Sequence, residues 1–253
     1  MKRRMLPNFI VIVVFIAVNF TALAAETGKV LVAGATGQTG RPLVKILKQQ
    51  GFAVRAMVRG ETSGAELGAD EAVKADLTDR ATLPAAVRGV DYIITTVGSG
   101  RSSLPEDVDY RGIAALTDAA KAAGVKQIVI MSSIGAEITS PDDPSVRRGA
   151  VMIAKGKGEA HVRQSGLAYT IVRPGALDNC ESGKTALKLG LVSAAAYFAA
   201  KLPRICRADV AAVMAAALGN PDALGKTFTV HGDPDTSAPV EAWRATFKSL
   251  KRD

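Results

Sequence analysis

Cysteine and histidine, which supply many of the metal ligands in proteins, are scarce in this chain. Its 253 residues include two of each. Cys180 and Cys206 form no CxxC motif, and His161 and His231 lie far apart in the sequence. We therefore predict no metal site. The spacing leaves the state of the cysteines open, because they could form a disulfide in an exported domain or remain two independent buried thiols.

Aromatic residues are few as well, at 5% of the chain, and the basic residues are scattered rather than clustered with them. The formal net charge is +8. Without residues 1–25 it falls to +5, because this segment contains three basic residues and no acidic one. A mild, dispersed positive charge is not the footprint of a nucleic-acid surface. We predict a small-molecule substrate, no nucleic-acid partner, and a monomer or homodimer.

A long hydrophobic run occurs at the N-terminus. Three basic residues (2–4) precede an apolar stretch (9–18), and alanines follow at positions 22, 24 and 25. This order is typical of a secretory signal peptide. We predict a signal peptide over residues 1–25, a periplasmic or secreted location, and one domain over residues 26–253.

Alternatives to a cleaved leader remain open. Asn19 and Thr21 interrupt the run, so it is marginal as a permanent membrane span, although an uncleaved anchor would be the protein's one membrane contact. Arg3 and Arg4 could direct export of the folded protein. A start at Met5 would instead leave the protein in the cytoplasm, and a buried N-terminal helix is a further possibility.

A glycine-rich turn carries the clearest functional signal. Gly34, Gly37 and Gly40 form G-x-x-G-x-x-G between a predicted strand (30–33) and a predicted helix (41–50). The first glycine permits a tight turn, the second lets the backbone approach a diphosphate, and the third lets helix pack on strand. The diphosphate binds at the positive N-terminus of the helix. With the next strand at the right spacing, this predicts dinucleotide binding.

The end of the second predicted strand lacks an acidic residue. An NAD site usually has Asp or Glu there to bind the ribose 2′-hydroxyl. This chain has Arg59 instead, and Glu61 is the first acid after it. A guanidinium matches a 2′-phosphate in charge and in donor geometry. We predict NADP (as NADPH) rather than NAD, with Arg55 as a possible substitute for Arg59.

Apolar strands and helical stretches alternate along the rest of the chain. This alternation predicts an α/β protein: a single-domain Rossmann fold with a doubly wound, mostly parallel sheet and helices on both faces. The predicted strands are 30–33, a run ending at 59, a short run ending at 76, 91–100, 126–135, 168–177 and 226–232. The predicted helices are 41–50, 82–89, 105–124, 146–165, 208–218 and a last one from 239 onward.

Longer motifs add specificity to the glycine pattern. They are GATGQTG (34–40), ADLTD (75–79), DAAKAAGVKQIVIMSSIGA (118–136), AKGKGEAHVRQSGLAYTIVRPGAL with its Lys155, and RADVA (207–211). With them the chain resembles the atypical short-chain dehydrogenases/reductases from Lys29 to its end. It is most similar to small NAD(P)H-binding proteins of the NmrA-like and biliverdin reductase B/flavin reductase groups, and to a plant NADP-binding member.

The resemblance implies a set of site residues. It places Thr36, Gln38 and Thr39 with the three glycines around the phosphates, Arg59 at the 2′-phosphate, Asp76 and Leu77 beside adenine, Val97 and Gly98 along the ribose and diphosphate, Ser132 beside the nicotinamide, Lys155 on its ribose, and Pro174 and Gly175 near the carboxamide.

One departure concerns catalysis. Many short-chain dehydrogenases use Tyr-x-x-x-Lys, in which the lysine prepares the tyrosine to pass a proton. Val151 stands four residues before Lys155, and the four tyrosines lie outside this helix. The chain is then either a reductase for a flavin, quinone or similar conjugated acceptor, or a non-catalytic NADP(H)-binding sensor or assembly protein. For the reductase, Ser133 and Lys155 are the candidate catalytic residues, and residues 177–203 form the substrate wall.

Overall fold

The computed structural model of the protein describes residues 28–100, 103–235, 237 and 239–253. The predicted signal peptide and its alternatives lie outside these residues. The strands are β1 (Lys29–Ala33), β2 (Ala53–Val58), β3 (Glu71–Lys74), β4 (Tyr92–Thr95), β5 (Gln127–Met131), β6 (Tyr169–Pro174), β7 (Leu177–Asp178), β8 (Leu187–Gly190), β9 (Ile205–Cys206) and β10 (Lys226–Gly232). The α-helices are α1 (Gly40–Gln49), α2 (Gly64–Leu67), α3 (Leu83–Val87), α4 (Ile113–Ala122), α5 (Gly149–Gln164), α6 (Ala194–Ala199), α7 (Arg207–Ala217) and α8 (Trp243–Thr246).

Eight of the strands form one sheet in the order β3-β2-β1-β4-β5-β6-β10-β8. Every pairing in it is parallel except that of β8, which runs antiparallel to β10. β1 pairs with β2 on one side and with β4 on the other, so the strand order reverses between β1 and β4. In an open sheet of this kind ligands bind beyond the carboxyl ends of the strands at such a reversal.

The sheet is buried on both faces because successive side chains of a strand point to opposite sides. Val30 and Val32 of β1 pack in the core layer that contains α1 and α7. Leu31 and Ala33 pack in the opposite layer, which contains α3 and α4. The predicted doubly wound Rossmann fold is confirmed.

Several element boundaries differ from the predictions. The helix predicted over 105–124 begins as a π-helical segment, Glu106–Gly112, before it continues as α4. The helix predicted from 146 begins at Gly149, where an added Cβ would lie 2.0 Å from the Pro141 carbonyl oxygen. The helix predicted from 239 reduces to α8 and a short 3₁₀ turn, Phe247–Ser249.

Three short strands had no periodic signal in the sequence. β8 exists because it pairs with the edge of β10. β7 and β9 are two residues each and form a separate two-stranded sheet, in which Leu177 pairs with Ile205. In the described part of the chain, no helix has the length and hydrophobicity that a membrane crossing requires.

A disulfide joins Cys180 to Cys206, with the two Cα atoms 5.2 Å apart. The pairing of β7 with β9 brings the two residues together, since Asp178 stands opposite Cys206. The bond ties the chain after β6 to the beginning of α7 and closes a loop across a sequence separation of 26. Of the two states left open by the sequence, the structure contains the disulfide.

Replacing both cysteines by serine should lower the free energy of unfolding by about 3 to 4 kcal/mol, because a loop of this length gains entropy in the unfolded chain when the cross-link is removed. Urea denaturation of the two proteins measures the difference. A reducing agent should destabilise the wild-type protein by a similar amount and leave the double serine variant unchanged. Equal stability of the oxidised wild type and the variant would contradict this expectation.

Candidate cofactor cleft

The turn after β1 is close-packed in a way that only glycine allows at two positions. Gly34 has φ +87°, in the left-handed region, and an added Cβ there would lie 2.8 Å from Thr96 Oγ1. At Gly40 an added Cβ would lie 2.0 Å from the Gly34 carbonyl oxygen. At Gly37 the same test gives 3.2 Å to that oxygen, which is tight but less severe. The turn therefore presses the beginning of α1 onto the end of β1.

The N-terminus of α1 is open to a ligand. Thr39 occupies the N-cap position, no side chain of the described residues caps the helix there, and the first turn contains no acidic residue. The Arg41 N–H donates to the Gly37 carbonyl oxygen and Pro42 has no N–H, so the N–H groups of residues 38–40, together with the positive end of the helix dipole, are the ones that can attract an anion. Arg41 Nε donates a hydrogen bond to the Thr36 carbonyl oxygen at 3.2 Å and so joins the helix to the turn.

A cleft of about 520 Å³ runs from this turn along the carboxyl ends of the strands. Eight of the predicted site residues line it: Gly34, Thr36, Gly37, Arg59, Asp76, Leu77, Val97 and Gly98. Thr62, Thr96, Ser99 and Ser103 also line it and were not predicted. Thr96 and Ser99 flank the predicted pair Val97–Gly98, so the rule of strand ends could have found them.

Arg59 follows β2 and is exposed at the cleft. Within the described residues it has no hydrogen-bond or ion-pair partner. Glu61, the nearest acid in sequence, instead pairs with Lys74, whose hydrogen bond lowers the pKa of the Glu61 carboxyl below its ordinary value. The guanidinium of Arg59 is thus available to a ligand.

Arg55, the possible substitute, is committed to the fold. Its Nε donates to Glu71 Oε1 at 3.0 Å, and its Nη1 donates to the carbonyl oxygens of Ala86 and Arg88 at 2.9 and 2.7 Å. The side chain is 12% exposed. Arg55 lies near the beginning of β2, whereas the cleft lies at the carboxyl end of the strand, and its bonds to Glu71 and to the chain around α3 leave it no freedom to bind a phosphate.

The loop after β3 forms the side of the cleft where adenine is expected. Asp76 Oδ1 accepts hydrogen bonds from the backbone N–H and the hydroxyl of Thr78, at 2.9 and 2.8 Å. Leu77 is buried. It packs against the π-helical segment at Gly112, where the approach is so close that an added Cβ would lie 2.8 Å from Leu77 Cβ.

A second, narrow void of about 10 Å³ lies next to the cleft, and Val97 lines both cavities. Ser132 and Lys155, both predicted, line this void. Asp109, which was not predicted, also lines it, and its Oδ1 lies 2.9 Å from Lys155 Nζ. Ser132 Oγ is buried and has no hydrogen-bond partner among the described residues.

The remaining acid of the void, Glu159, is fully paired. Its carboxylate is completely buried and accepts hydrogen bonds from Arg173 Nε at 2.8 Å, Arg173 Nη2 at 2.6 Å and Arg163 Nη2 at 2.8 Å. Burial alone would lower the pKa of Arg173, but the bonds to Glu159 outweigh burial and raise it. Glu159 is consequently a structural acid.

The other predicted residues lie outside both cavities. Gln38 is exposed, whereas Thr39 and Gly40 are buried. The Ser133 hydroxyl donates to the Ile134 carbonyl oxygen at 3.0 Å. Pro174 is buried, and an added Cβ on Gly175 would lie 2.7 Å from the Tyr197 hydroxyl oxygen.

None of the tyrosines lines either cavity in the part of the chain described. Tyr197 donates to the Pro203 carbonyl oxygen and accepts from the Ala176 N–H. Tyr169 donates to Asp253, and burial together with this carboxylate raises the pKa of Tyr169 to about 12. Tyr92 is the first residue of β4 and so lies at the amino-terminal end of the strands, opposite the end where the cleft lies. The Tyr110 ring lies under Lys157 Nζ.

The described residues contain no group of three or more His, Cys, Asp or Glu side chains placed to hold a metal ion. They do fit a dinucleotide. The open helix N-terminus suits a diphosphate, the unpaired Arg59 suits a phosphate, and the buried, unpartnered hydroxyls of Ser99 and Ser132 suit ribose or amide groups.

Comparison with known proteins agrees with this fit. A family model described as NAD(P)H-binding matches residues 34–221, well over half of the chain. The chain belongs to this family. The predicted resemblance to atypical short-chain dehydrogenases/reductases is confirmed.

Individual relatives are reductases by name. Sanguinarine reductase of Eschscholzia californica is 32% identical over 252 residues, which covers 81% of this chain and 89% of that protein. NAD(P)H azoreductase of Xenophilus azovorans is 33% identical over 216 residues, which covers 80% of this chain and 68% of that protein. The solved structure of a candidate NAD-dependent epimerase/dehydratase from Bacillus halodurans superimposes with a TM-score of 0.74 at 29% identity, covering 87% and 99%. The chain is thus a member of an NAD(P)H-binding oxidoreductase family.

Proposed function

We propose that this protein is an NADPH-dependent reductase that transfers a hydride to a small conjugated acceptor, such as a flavin, a quinone or an azo or related compound. The observation that carries the proposal is a cleft and a neighbouring void that share a lining residue, with an arginine that is unpaired among the described residues in the cleft and a lysine in the void. Arg59 lines the cleft, Lys155 lines the void, and Val97 borders both. Related proteins named sanguinarine reductase and NAD(P)H azoreductase support a conjugated acceptor.

In this proposal Arg59 binds the 2′-phosphate and selects NADPH over NADH, while Gly34, Gly37 and the N-terminus of α1 bind the diphosphate. Asp76 and Leu77 border the adenine, and Lys155 binds the nicotinamide ribose. The bound cofactor supplies a hydride from its reduced nicotinamide ring.

The absence of a tyrosine from both cavities favours acceptors that need no strong side-chain acid. A flavin, quinone or azo group can take its proton from water after hydride transfer. The Lys155 ammonium in the void is one candidate side-chain donor; the Ser133 hydroxyl is the other, but it would first have to break its hydrogen bond to the Ile134 carbonyl oxygen. Pro174, Gly175 and Tyr197 would border the acceptor beside the substrate wall (177–203), since Gly175 packs directly on the Tyr197 ring.

The test is an acceptor panel with the domain from residue 26 onward. NADPH binding is first confirmed by fluorescence, and its oxidation is then followed by absorbance with FMN, simple quinones, dicarbonyls, azo dyes and a linear tetrapyrrole. Turnover with any acceptor supports the proposal. Tight binding of NADPH with no turnover across the panel would contradict it and favour the non-catalytic sensor or assembly role.

We also propose that the domain (26–253) works outside the cytoplasm after removal of residues 1–25. The Cys180–Cys206 bond supports this location, because disulfides persist mainly in oxidising compartments. Cell fractionation with thiol labelling measures both properties. An unprocessed cytoplasmic chain with two free thiols would contradict the proposal.

A further inference from the structure

Asp109 is a buried carboxylate that the proposed function has not yet used. Its side chain is completely buried in the π-helical segment Glu106–Gly112. Its Oδ2 accepts a hydrogen bond from the Ser99 backbone N–H at 3.1 Å, and its Oδ1 faces Lys155 Nζ at 2.9 Å. A buried charge is costly unless it is paired. One carboxylate therefore joins the chain after β4 to helix α5.

Glycine at position 158 makes this contact possible. An added Cβ on Gly158 would lie 2.5 Å from the Asp109 carbonyl oxygen, so only glycine lets the π-helical segment approach α5 this closely. Lys155 lies three residues earlier on α5 and therefore on the same face of the helix. π-helical turns are rare and often occur at functional sites. Here the wide turn places Asp109 between Ser99 and Lys155.

Asp109 joins the Ser99 backbone to the Lys155 ammonium, and both lie at the nicotinamide end of the proposed cofactor site. An added Cβ on Gly98 would lie 3.5 Å from Asp109 Oδ1 and 3.8 Å from Lys155 Nζ, so the backbone at Gly98 and the ammonium lie side by side. The buried hydroxyls of Ser99 and Ser132 have no hydrogen-bond partner within the described residues. An ammonium has three donors, and pairing with Asp109 leaves others for a ligand.

We propose that Asp109 is a positioning residue that holds Lys155 and the Gly98–Ser99 backbone as the two sides of the nicotinamide-ribose end of the cofactor site. This inference rests on the proposed function. Without the carboxylate, the long lysine side chain loses the partner that keeps its ammonium beside Gly98, and the Ser99 N–H loses its acceptor. Asp109 acts through these groups.

The test compares two ligands that share the Arg59 end of the cleft. NADPH reaches the nicotinamide end, whereas adenosine 2′,5′-bisphosphate ends at the adenosine half. Asp109→Asn should weaken NADPH binding about tenfold, because the Lys155 ammonium loses the charge that it pairs with, and should leave binding of the bisphosphate unchanged. Both dissociation constants are measured by fluorescence or calorimetry, without turnover.

A double-mutant cycle identifies the route. Lys155→Met should also weaken NADPH binding, and the Asp109→Asn/Lys155→Met double variant should bind about as weakly as Lys155→Met alone. Asp107→Asn is the matched control, because Asp107 is on the same segment but is partly exposed and pairs with Arg111. It should change neither dissociation constant.

Other outcomes would overturn the inference. Equal weakening of both ligands by Asp109→Asn would show a general structural role, and additive effects of the two substitutions would show that Asp109 does not act through Lys155. Unchanged NADPH binding by Asp109→Asn would show no role at all. If the wild-type protein binds neither ligand, the proposed function fails first and the inference fails with it.

Discussion

Replacing Gly40 by alanine should weaken NADPH binding on the order of 100-fold or more. The added Cβ would lie 2.0 Å from the carbonyl oxygen of Gly34 and 2.9 Å from the Cα of Ala35. Both are backbone atoms of the turn, so the contact cannot be relieved by a side-chain rotation. The beginning of α1 must move away from β1, and the N–H groups that we propose bind the diphosphate move with it.

The loss should be large because several charge-assisted hydrogen bonds disappear together. Two such bonds correspond to a loss of affinity on the order of 100-fold or more. The overpacking itself should lower the free energy of unfolding by about 1 to 3 kcal/mol. Fluorescence titration with NADPH measures the first effect and urea denaturation the second.

Gly190→Ala is the matched control for Gly40→Ala. Gly190 lies in β8, has no atom within 4 Å of an added Cβ, and does not have a left-handed backbone. Its substitution should change the free energy of unfolding by less than about 0.5 kcal/mol and leave cofactor binding unchanged. A folded Gly40→Ala variant that binds NADPH like the wild type would refute the proposed diphosphate site.

Replacing Arg59 by alanine should weaken NADPH binding by roughly 10- to 100-fold and NADH binding hardly at all, so the two cofactors become nearly equivalent. The reason is that NADPH differs from NADH by the 2′-phosphate, and Arg59 lines the cleft with no partner among the described residues. The affinity of Arg59→Lys for NADPH should lie between that of the wild type and that of Arg59→Ala, because lysine keeps the charge but loses the donor fork. Dissociation constants for both cofactors check this expectation.

Two other arginines serve as controls for Arg59. Arg88→Ala removes the same charge from an exposed position outside the cleft and should leave the preference for NADPH unchanged. Arg55→Ala should lower stability rather than alter the preference, because Arg55 bonds to Glu71, Ala86 and Arg88. A loss that is equal for NADPH and NADH in Arg59→Ala would rule out the 2′-phosphate contact.

The parts of the site that sequence reasoning could predict belong to local motifs. The glycine turn, Arg59, Asp76 and Val97–Gly98 each lie at or near the end of a predicted strand, and the parallel sheet brings strand ends to one edge. Eight of the predicted residues line one cleft for this reason. Four other predicted residues do not line the cleft: Gln38, Ser133, Pro174 and Gly175. A sequence motif predicts which segment lies near the site, but it does not predict which way each side chain points.

The residues that were missed depend on contacts across the chain. Asp109 belongs to a stretch that reads as ordinary helix, and nothing local indicates a π-helical turn or a pairing with Lys155. Close packing at Gly158 creates that pairing. The antiparallel strand β8 was missed for a similar reason, since it exists only as the partner of β10.

The sequence by itself determined the alternation of strands and helices, the layer structure and the dinucleotide turn. These follow from side-chain periodicity and from backbone conformations that glycine alone adopts, both of which are local properties. The tertiary structure alone decided that Cys180 meets Cys206, that Arg55 rather than Arg59 is bonded to other described residues, and that Asp109 pairs with Lys155. Each of these contacts joins residues that are remote in sequence. Such residues come within bonding distance only when the sheet and its helices pack together.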